Sequence, residues 1–274
     1  MKKRSQLASK ENGFWQSSCQ NFFVAFAFCF AFLVPYSMAA SASDDAHELM
    51  EACMLSDRLL KDYALIGMGV TYHDPSADIT RARARIGTIL EHMSDGHMQE
   101  TFVARIKQLA GDWKMLEPML SKTPNLQDVQ QLKNLVNSFS DQCESLAEEV
   151  ALDTKVVSNK DVVRIASLGI QVQKLASLYM VRSWGSDDPA YFEQVAILSD
   201  EFKNILGELQ NEKDEVLPLE LKEKLVEVSK RFFVFEFIVN SKSKNVMVSR
   251  AEKLSTEVYE EILEIMKTEE GLVE

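Results

Sequence analysis

Residues 48–69, ELMEACMLSDRLLKDYALIGMG, predict a helix that carries apolar residues on two of its sides. At about 100° per residue, Leu49 and Leu60 share one face, whereas Leu55 and Leu59 lie on the side opposite. A helix on the outside of a bundle needs only one apolar stripe. Two apolar faces therefore predict two contacts, one with the core of the helix's own bundle and one with a second helix of the same kind.

Helical spacing of apolar residues continues along the chain, and sustained period-two alternation is absent from the sequence. Start signals stand at Asp74-Pro75, Thr123-Pro124, Asp188-Pro189 and in the capping-box pair Ser158 and Asp161. After the helix at 48–69, these signals predict helices over about 75–93, 99–120, a segment ending near 150, 160–184, a segment ending near 209, 218–239 and 246–267. The predicted fold class is all-α.

The second half of the chain repeats the first at a displacement of 116 positions. This displacement places Arg58 on Lys174, Tyr63 on Tyr179, Gly69 on Gly185, Ile86 on Phe202, Leu90 on Leu206 and Met93 on Leu209. Short connections between helices favour up-down bundles, and an aligned set of this kind indicates an internal repeat. We therefore predict two tandem up-down four-helix bundles, residues 44–155 and 158–270.

Residues 1–39 have the layout of a secretory signal peptide. Lys2, Lys3 and Arg4 form a basic leader, residues 22–34 are uniformly apolar, and Ser37 and Ala39 stand before the predicted cleavage point. A membrane anchor is the alternative, but the apolar run is shorter than the roughly 20 residues that a spanning helix needs. The sequence thus predicts export to the periplasm, with no stable membrane insertion after cleavage.

Charge and motifs exclude several classes of function. The formal net charge of −12 disfavours nucleic acid and anionic lipid as partners, so any anion site must be local. No Ser-His-Asp order, phosphate-binding glycine loop or CxxC pair occurs, and His92 and His97 lack the spacing of a helical metal pair. Neither catalysis, nor a cofactor, nor a metal site is predicted.

The segment Met54–Tyr63, MLSDRLLKDY, resembles the first-helix motif of the PilJ-type or NarX-like ligand-sensing domain, roughly R-M-L-S-Q-R-M-x-K-x-Y. A weaker version, QKLASLY, occupies residues 173–179. Such domains stand at the front of nitrate-sensor kinases and of chemotaxis transducers of type IV pili. The resemblance implies a periplasmic four-helix bundle whose first helices meet and hold a small oxyanion between arginines. Cys53 and Gly169 stand where the motif has its first arginine.

Two hypotheses of function follow. In the first, the protein is an exported sensor or binding protein for a small solute, and an oxyanion such as nitrate or nitrite is a candidate for that solute. The protein then signals through a separate membrane kinase or chemotaxis receptor. The resemblance and the charge pattern then make Arg58, Lys61 and Lys174 the candidate ligand-binding residues, unless these cations pair with acidic neighbours. In the second, the protein is a helical interaction or scaffold protein without a small ligand, and the apolar surfaces of its first and fifth helices dock a partner.

Two cysteines, Cys53 and Cys143, remain after the predicted cleavage, in a compartment that permits disulfides. In an up-down bundle, the start of the first helix and the end of the fourth lie at the same pole. Both cysteines also lie on the inward stripes of their helices. We predict a Cys53–Cys143 disulfide, the alternative being two buried free thiols that pack as small hydrophobes.

Overall fold

The computed structural model describes residues 34–71, 73–95, 99–153, 157–214, 216–242 and 247–271. Within these ranges the chain forms helices and no strand, which confirms the all-α prediction. The helices are α1 Val34–Gly67, α2 Pro75–Ser94, α3 Glu100–Leu120, α4 Val129–Asp153, α5 Val157–Trp184, α6 Tyr191–Gln210, α7 Leu219–Val239 and α8 Val248–Gly271. Residues 42–274 group into one compact unit. Residues 1–33 of the predicted signal peptide lie outside the described residues.

Three helices begin three or more residues from their predicted starts, and α6 begins at Tyr191, after the N-cap residue Ala190, rather than at the predicted Pro189. α1 begins at Val34 rather than near Glu48. Thr123-Pro124 does not start α4, which begins at Val129 after a turn in which the Asn125 side chain accepts a hydrogen bond from the Gln127 N–H. α5 begins at Val157, ahead of the capping-box pair, and the Asp161 carboxylate instead pairs with Arg164 at 2.9 Å.

Local start and stop signals act as predicted at other helix ends. The Asp74 carboxylate accepts a hydrogen bond from the Ala77 N–H at 3.0 Å, and Pro75 is the first residue of α2. Gly69 and Gly185 have positive φ angles of 71° and 114°. At each of them the next N–H bonds back to a carbonyl in the last turn of the helix, Val70 to Leu65 and Ser186 to Val181. Both α1 and α5 therefore end in a Schellman motif.

The helices α1 and α5 run parallel and in contact, as the two apolar faces of the first helix predict. A Cβ on Gly169 of α5 would meet the Met54 side chain of α1 at 2.6 Å, and a Cβ on Gly67 would meet the Trp184 ring at 2.2 Å. The two contacts join the middle of α1 to the middle of α5 and the end of α1 to the end of α5, so the helices run in the same direction. Glycine at each contact leaves room for the side chain of the other helix.

The other helices surround this central pair. α5 contacts α4, α6, α7 and α8, α2 contacts α3, and α3 contacts α4. Side chains join α1 to three neighbours: Arg85 of α2 pairs with Glu51, Ser140 of α4 donates to Asp57, and Lys61 donates to Thr256 of α8. The apolar faces of α1 and α5 are consequently buried within the chain. None of the described helices has the length and apolar character required to cross a membrane.

Candidate functional site

A pocket of about 270 Å³ opens where α1, α4, α5 and α6 meet. Its volume lies at the small end of the roughly 300–1,000 Å³ range of ligand pockets. The lining combines charged, amide and aliphatic side chains: Asp57, Leu60, Lys133, Asn137, Asp141, Lys174, Ser177, Leu178, Gln194, Ile197, Leu198 and Glu201. Of the three predicted ligand-binding residues, Lys174 belongs to this lining, and Arg58 and Lys61 do not.

Lys174 presents an ammonium group that can exchange its partner. Its Nζ donates to the Asp141 carboxylate at 2.7 Å and lies 3.9 Å from Glu144. Burial lowers the pKa of Lys174, but the carboxylates of Asp57, Asp141 and Glu144 outweigh burial and raise this pKa overall. The Asp141 side chain is 66% exposed, whereas that of Lys174 is only 13% exposed. An ion pair with so exposed a partner is weak, whereas the buried Asp57 gives Lys174 its largest stabilising charge.

Asp57 is a fully buried carboxylic acid at the base of the pocket. Its Oδ2 accepts a hydrogen bond from the Ser140 hydroxyl at 2.7 Å, and its main-chain carbonyl oxygen accepts one from the Ser177 hydroxyl at 2.6 Å. Burial raises the pKa of Asp57 to about 7, although Lys174 and the Ser140 hydroxyl both favour the ionised form. Asp57 therefore changes its charge near neutral pH.

Lys133 supplies a second cation from α4. Its Nζ contacts the Asp188 carboxylate at 2.6 Å and the Gln194 side-chain oxygen at 2.9 Å. This lysine lies in the buried stripe of α4, beside Leu132 and Val136. A sequence signal for Lys133 therefore exists: a lysine at an inward position of an apolar stripe needs a polar cavity or a charged partner.

Arg58 and Lys61 lie in a different charged cluster, between α1, α2 and α8. The Arg58 guanidinium pairs with Asp78 at 2.9 Å and lies 3.5 Å from Asp62. The Lys61 ammonium, buried at the centre of the cluster, donates to the Thr256 hydroxyl at 3.3 Å. Burial lowers the pKa of Lys61. Arg58 and Lys174 share no charged partner among their described ion pairs.

Three ligand atoms in this second cluster lie close enough together to hold a metal ion. They belong to Asp62, His73 and Asp78 and fall within 4.8 Å of one another. Arg58 already pairs with Asp78 and lies beside Asp62, and Arg81 pairs with Asp78 as well. These guanidinium groups pair with Asp78, whereas both oxygens of the buried Asp62 accept no hydrogen bond from the described residues. Burial raises the pKa of Asp62 to about 6, although Lys61 and Arg58 favour its ionised form.

The two charged clusters occupy corresponding positions along the chain. At the displacement of 116, Lys174 corresponds to Arg58, Ser177 to Lys61 and Leu178 to Asp62. Lys61 is buried in its cluster, whereas the shorter Ser177 lines the pocket together with Lys174.

Cys53 and Cys143 lie side by side in the core as thiols. Both sulfur atoms donate to the Leu49 carbonyl oxygen, at 3.0 and 3.1 Å. Burial raises the pKa of Cys53, and the neighbouring Cys143 raises it further. The predicted disulfide would join two residues that are already neighbours, and it stays a prediction.

Comparison of the chain with protein-family models, with curated proteins and with solved structures found no match.

Proposed function

We propose that the protein binds a small solute carrying a carboxylate or similar oxyanion in the pocket between α1, α4, α5 and α6. The observation that carries this proposal is the Lys174 ammonium group, which lines the pocket and is paired there with the mostly exposed Asp141. Lys133 and Asn137 add further hydrogen-bond donors to the same lining. Charge-assisted hydrogen bonds from such donors are the strong contacts that anion recognition uses.

The proposed architecture is that of two four-helix bundles, residues 44–155 and 158–270, paired through their first helices α1 and α5. The two halves share their Schellman ends at Gly69 and Gly185. They also share a tertiary hydrogen bond. The Tyr63 hydroxyl accepts from the Asn125 N–H at 3.0 Å, and the Tyr179 hydroxyl accepts from the Met247 N–H at 3.3 Å, each time in the connection before a half's last helix.

On this proposal, the pocket lies in one of two equivalent interfaces between the paired bundles. The first helix of each half would face the fourth helix of the other half, α5 against α4 and α1 against α8. The described contacts support this, since Lys174 of α5 pairs with Asp141 of α4 and Lys61 of α1 bonds to Thr256 of α8. The resemblance to PilJ-type and NarX-like domains, whose first helices hold an oxyanion where they meet, agrees with this placement.

The signal-peptide pattern and this resemblance together suggest the setting: a periplasmic binding protein that acts through a separate membrane kinase or chemotaxis receptor. The alternative, a scaffold that docks partners through the apolar surfaces of α1 and α5, is less well supported. Those surfaces are buried in the chain, with residues such as Leu59, Leu65, Ile170 and Leu175 fully inaccessible.

Isothermal titration of the purified protein with acetate, isocaproate and nitrate tests the proposal. We expect Lys174→Met to weaken binding by about ten- to a hundredfold, since a charge-assisted hydrogen bond contributes roughly 1.5–3 kcal/mol. Methionine keeps the apolar stem, so the helix packing is preserved.

The matched control is Lys203→Met on α6, a half-exposed lysine that pairs with Glu236 away from the pocket. This variant should bind as the unsubstituted protein does. Absence of binding by every anion, or equal affinities of the Lys174 and Lys203 variants, would refute the proposed function.

A further inference from the structure

The pocket lining carries both signs of charge in a small volume. The ammonium groups of Lys133 and Lys174 face it together with the carboxyl groups of Asp57, Asp141 and Glu201. A solute with only a negative charge would compete with Asp57 and Asp141 for Lys174, and one with only a positive charge would meet two lysines. Recognition by complementary charge therefore requires a solute with both.

We propose that the solute is a zwitterion with an aliphatic side chain, that is, a small apolar amino acid or a close analogue. This inference rests on the proposed function, because it assigns the carboxylate of the solute to the same anion site at Lys174. It adds a site for the ammonium group at Asp57 and an apolar site for the side chain.

The carboxylate end is set by the two lysines. Lys133 is held in place by Asp188 and by the side-chain oxygen of Gln194, so its position is fixed before any solute binds. Lys174 gives up the exposed Asp141 and takes the solute carboxylate in its place. Asp141, once released, remains in the lining as a second acceptor for the ammonium group.

The ammonium end is set by Asp57. This carboxyl is buried, and the Ser140 hydroxyl bonds to one of its oxygens. Removing a carboxylate from water is costly, and a nearby positive charge offsets that cost. Lys174 supplies one such charge, and an ammonium group in the pocket adds a second beside Asp57, so the protein gains more from a zwitterion than from a carboxylate alone.

The remaining wall of the pocket is aliphatic. Leu60 of α1 and Leu178 of α5 face Ile197 and Leu198 of α6 across it. Ser177 stands here where the first half of the chain has Lys61. Burying an aliphatic side chain here contributes about 25 cal/mol per Å² of apolar surface removed from water.

A matched set of three compounds tests the inference by titration calorimetry at pH 7: leucine, isocaproate, which lacks the amino group, and isoamylamine, which lacks the carboxylate. We expect leucine to bind at least about tenfold more tightly than either of the other two. Asp57→Asn should weaken leucine at least about tenfold and leave isocaproate unchanged, because asparagine offers no negative charge to the ammonium group. The Lys203→Met control should bind all three as the unsubstituted protein does.

The number of protons released when a solute binds gives an independent test of the inference. The bound ammonium group holds Asp57 ionised, so leucine binding should release protons near pH 7, and the apparent enthalpy should differ between phosphate and Tris buffers. Isocaproate should release none from Asp57.

Each outcome bears on one of the two proposals. If isocaproate binds as tightly as leucine, or if the Asp57→Asn variant binds leucine with unchanged affinity, the proposal of a zwitterionic solute is wrong, but the proposed anion site is still supported. If none of the three binds but acetate or nitrate does, the proposal of a zwitterion is wrong and the proposed anion site is still supported. If isoamylamine binds most tightly, or if none of these compounds binds, the proposed function is wrong and so is the proposal of a zwitterion.

Discussion

Asp57→Asn should make the folded protein more stable at alkaline pH. The pKa of Asp57 rises from an ordinary value of 3.8 to about 7 because the carboxyl is buried. The folded state therefore binds a proton more readily than the unfolded state. This contribution to the free energy of unfolding is fully present below about pH 4 and is lost as the pH rises through about 7. Asparagine cannot ionise, and its amide oxygen can still accept the hydrogen bond from Ser140.

The magnitude follows from the interval between 3.8 and about 7, which corresponds to roughly 4 kcal/mol. We expect the variant to exceed the unsubstituted protein by up to about 4 kcal/mol at pH 8 and to equal it near pH 4. Urea unfolding followed by circular dichroism at pH 4, 6 and 8 measures the difference. Asp141→Asn, at an exposed carboxylate, is the control and should show no such gain. A variant with the pH dependence of the unsubstituted protein, or one less stable at pH 8, would refute the reasoning.

Four other substitutions and one treatment test the fold. Gly67→Ala should destabilise the protein by about 1–3 kcal/mol, because the added Cβ would overlap the Trp184 ring. Gly111→Ala has open space around it and should be neutral or stabilising by about 0.5–1 kcal/mol. Urea unfolding measures both changes. Tyr63→Phe and Tyr179→Phe should each cost about 1 kcal/mol by the same assay, and markedly unequal losses would argue against equivalent halves. If the Cys53–Cys143 disulfide forms, reductant should lower stability by about 2–4 kcal/mol, and two titratable thiols in the denatured, non-reduced protein would contradict it.

The helices could be predicted from the sequence because their signals are local. Apolar periodicity gave their number and order within the described residues, and Asp74 and Gly69 act at the helix ends where the sequence places them. The start of α4 could not be predicted, since a distant contact determines it. The N–H of Asn125 is bonded to the hydroxyl of Tyr63, and a turn follows before the helix begins at Val129.

The pocket was predicted only in part because four helices build it. Lys174 could be found from the resemblance of its segment to a known motif. Asp57 lies within the same motif in the first half, but its burial depends on the packing of α1 against α4 and α5, which no local pattern reveals. Lys133 carried a signal of its own, a cation in an apolar stripe, whereas Gln194 of α6 carried none.

The two charged clusters differ in the residues that surround the corresponding cations. Around Arg58, the chain supplies counter-charges itself: Asp62 and Asp78 lie beside the guanidinium, and the Lys61 ammonium group is buried in the same cluster. Both carboxylate oxygens of the buried Asp62 nevertheless accept no hydrogen bond within the part of the chain that the structure describes. Around Lys174, the residues that correspond to Lys61 and Asp62 are Ser177 and Leu178, which carry no charge. Lys174 is stabilised instead by the buried Asp57 and by the exposed Asp141, and we propose that a solute anion takes the place of the exposed partner.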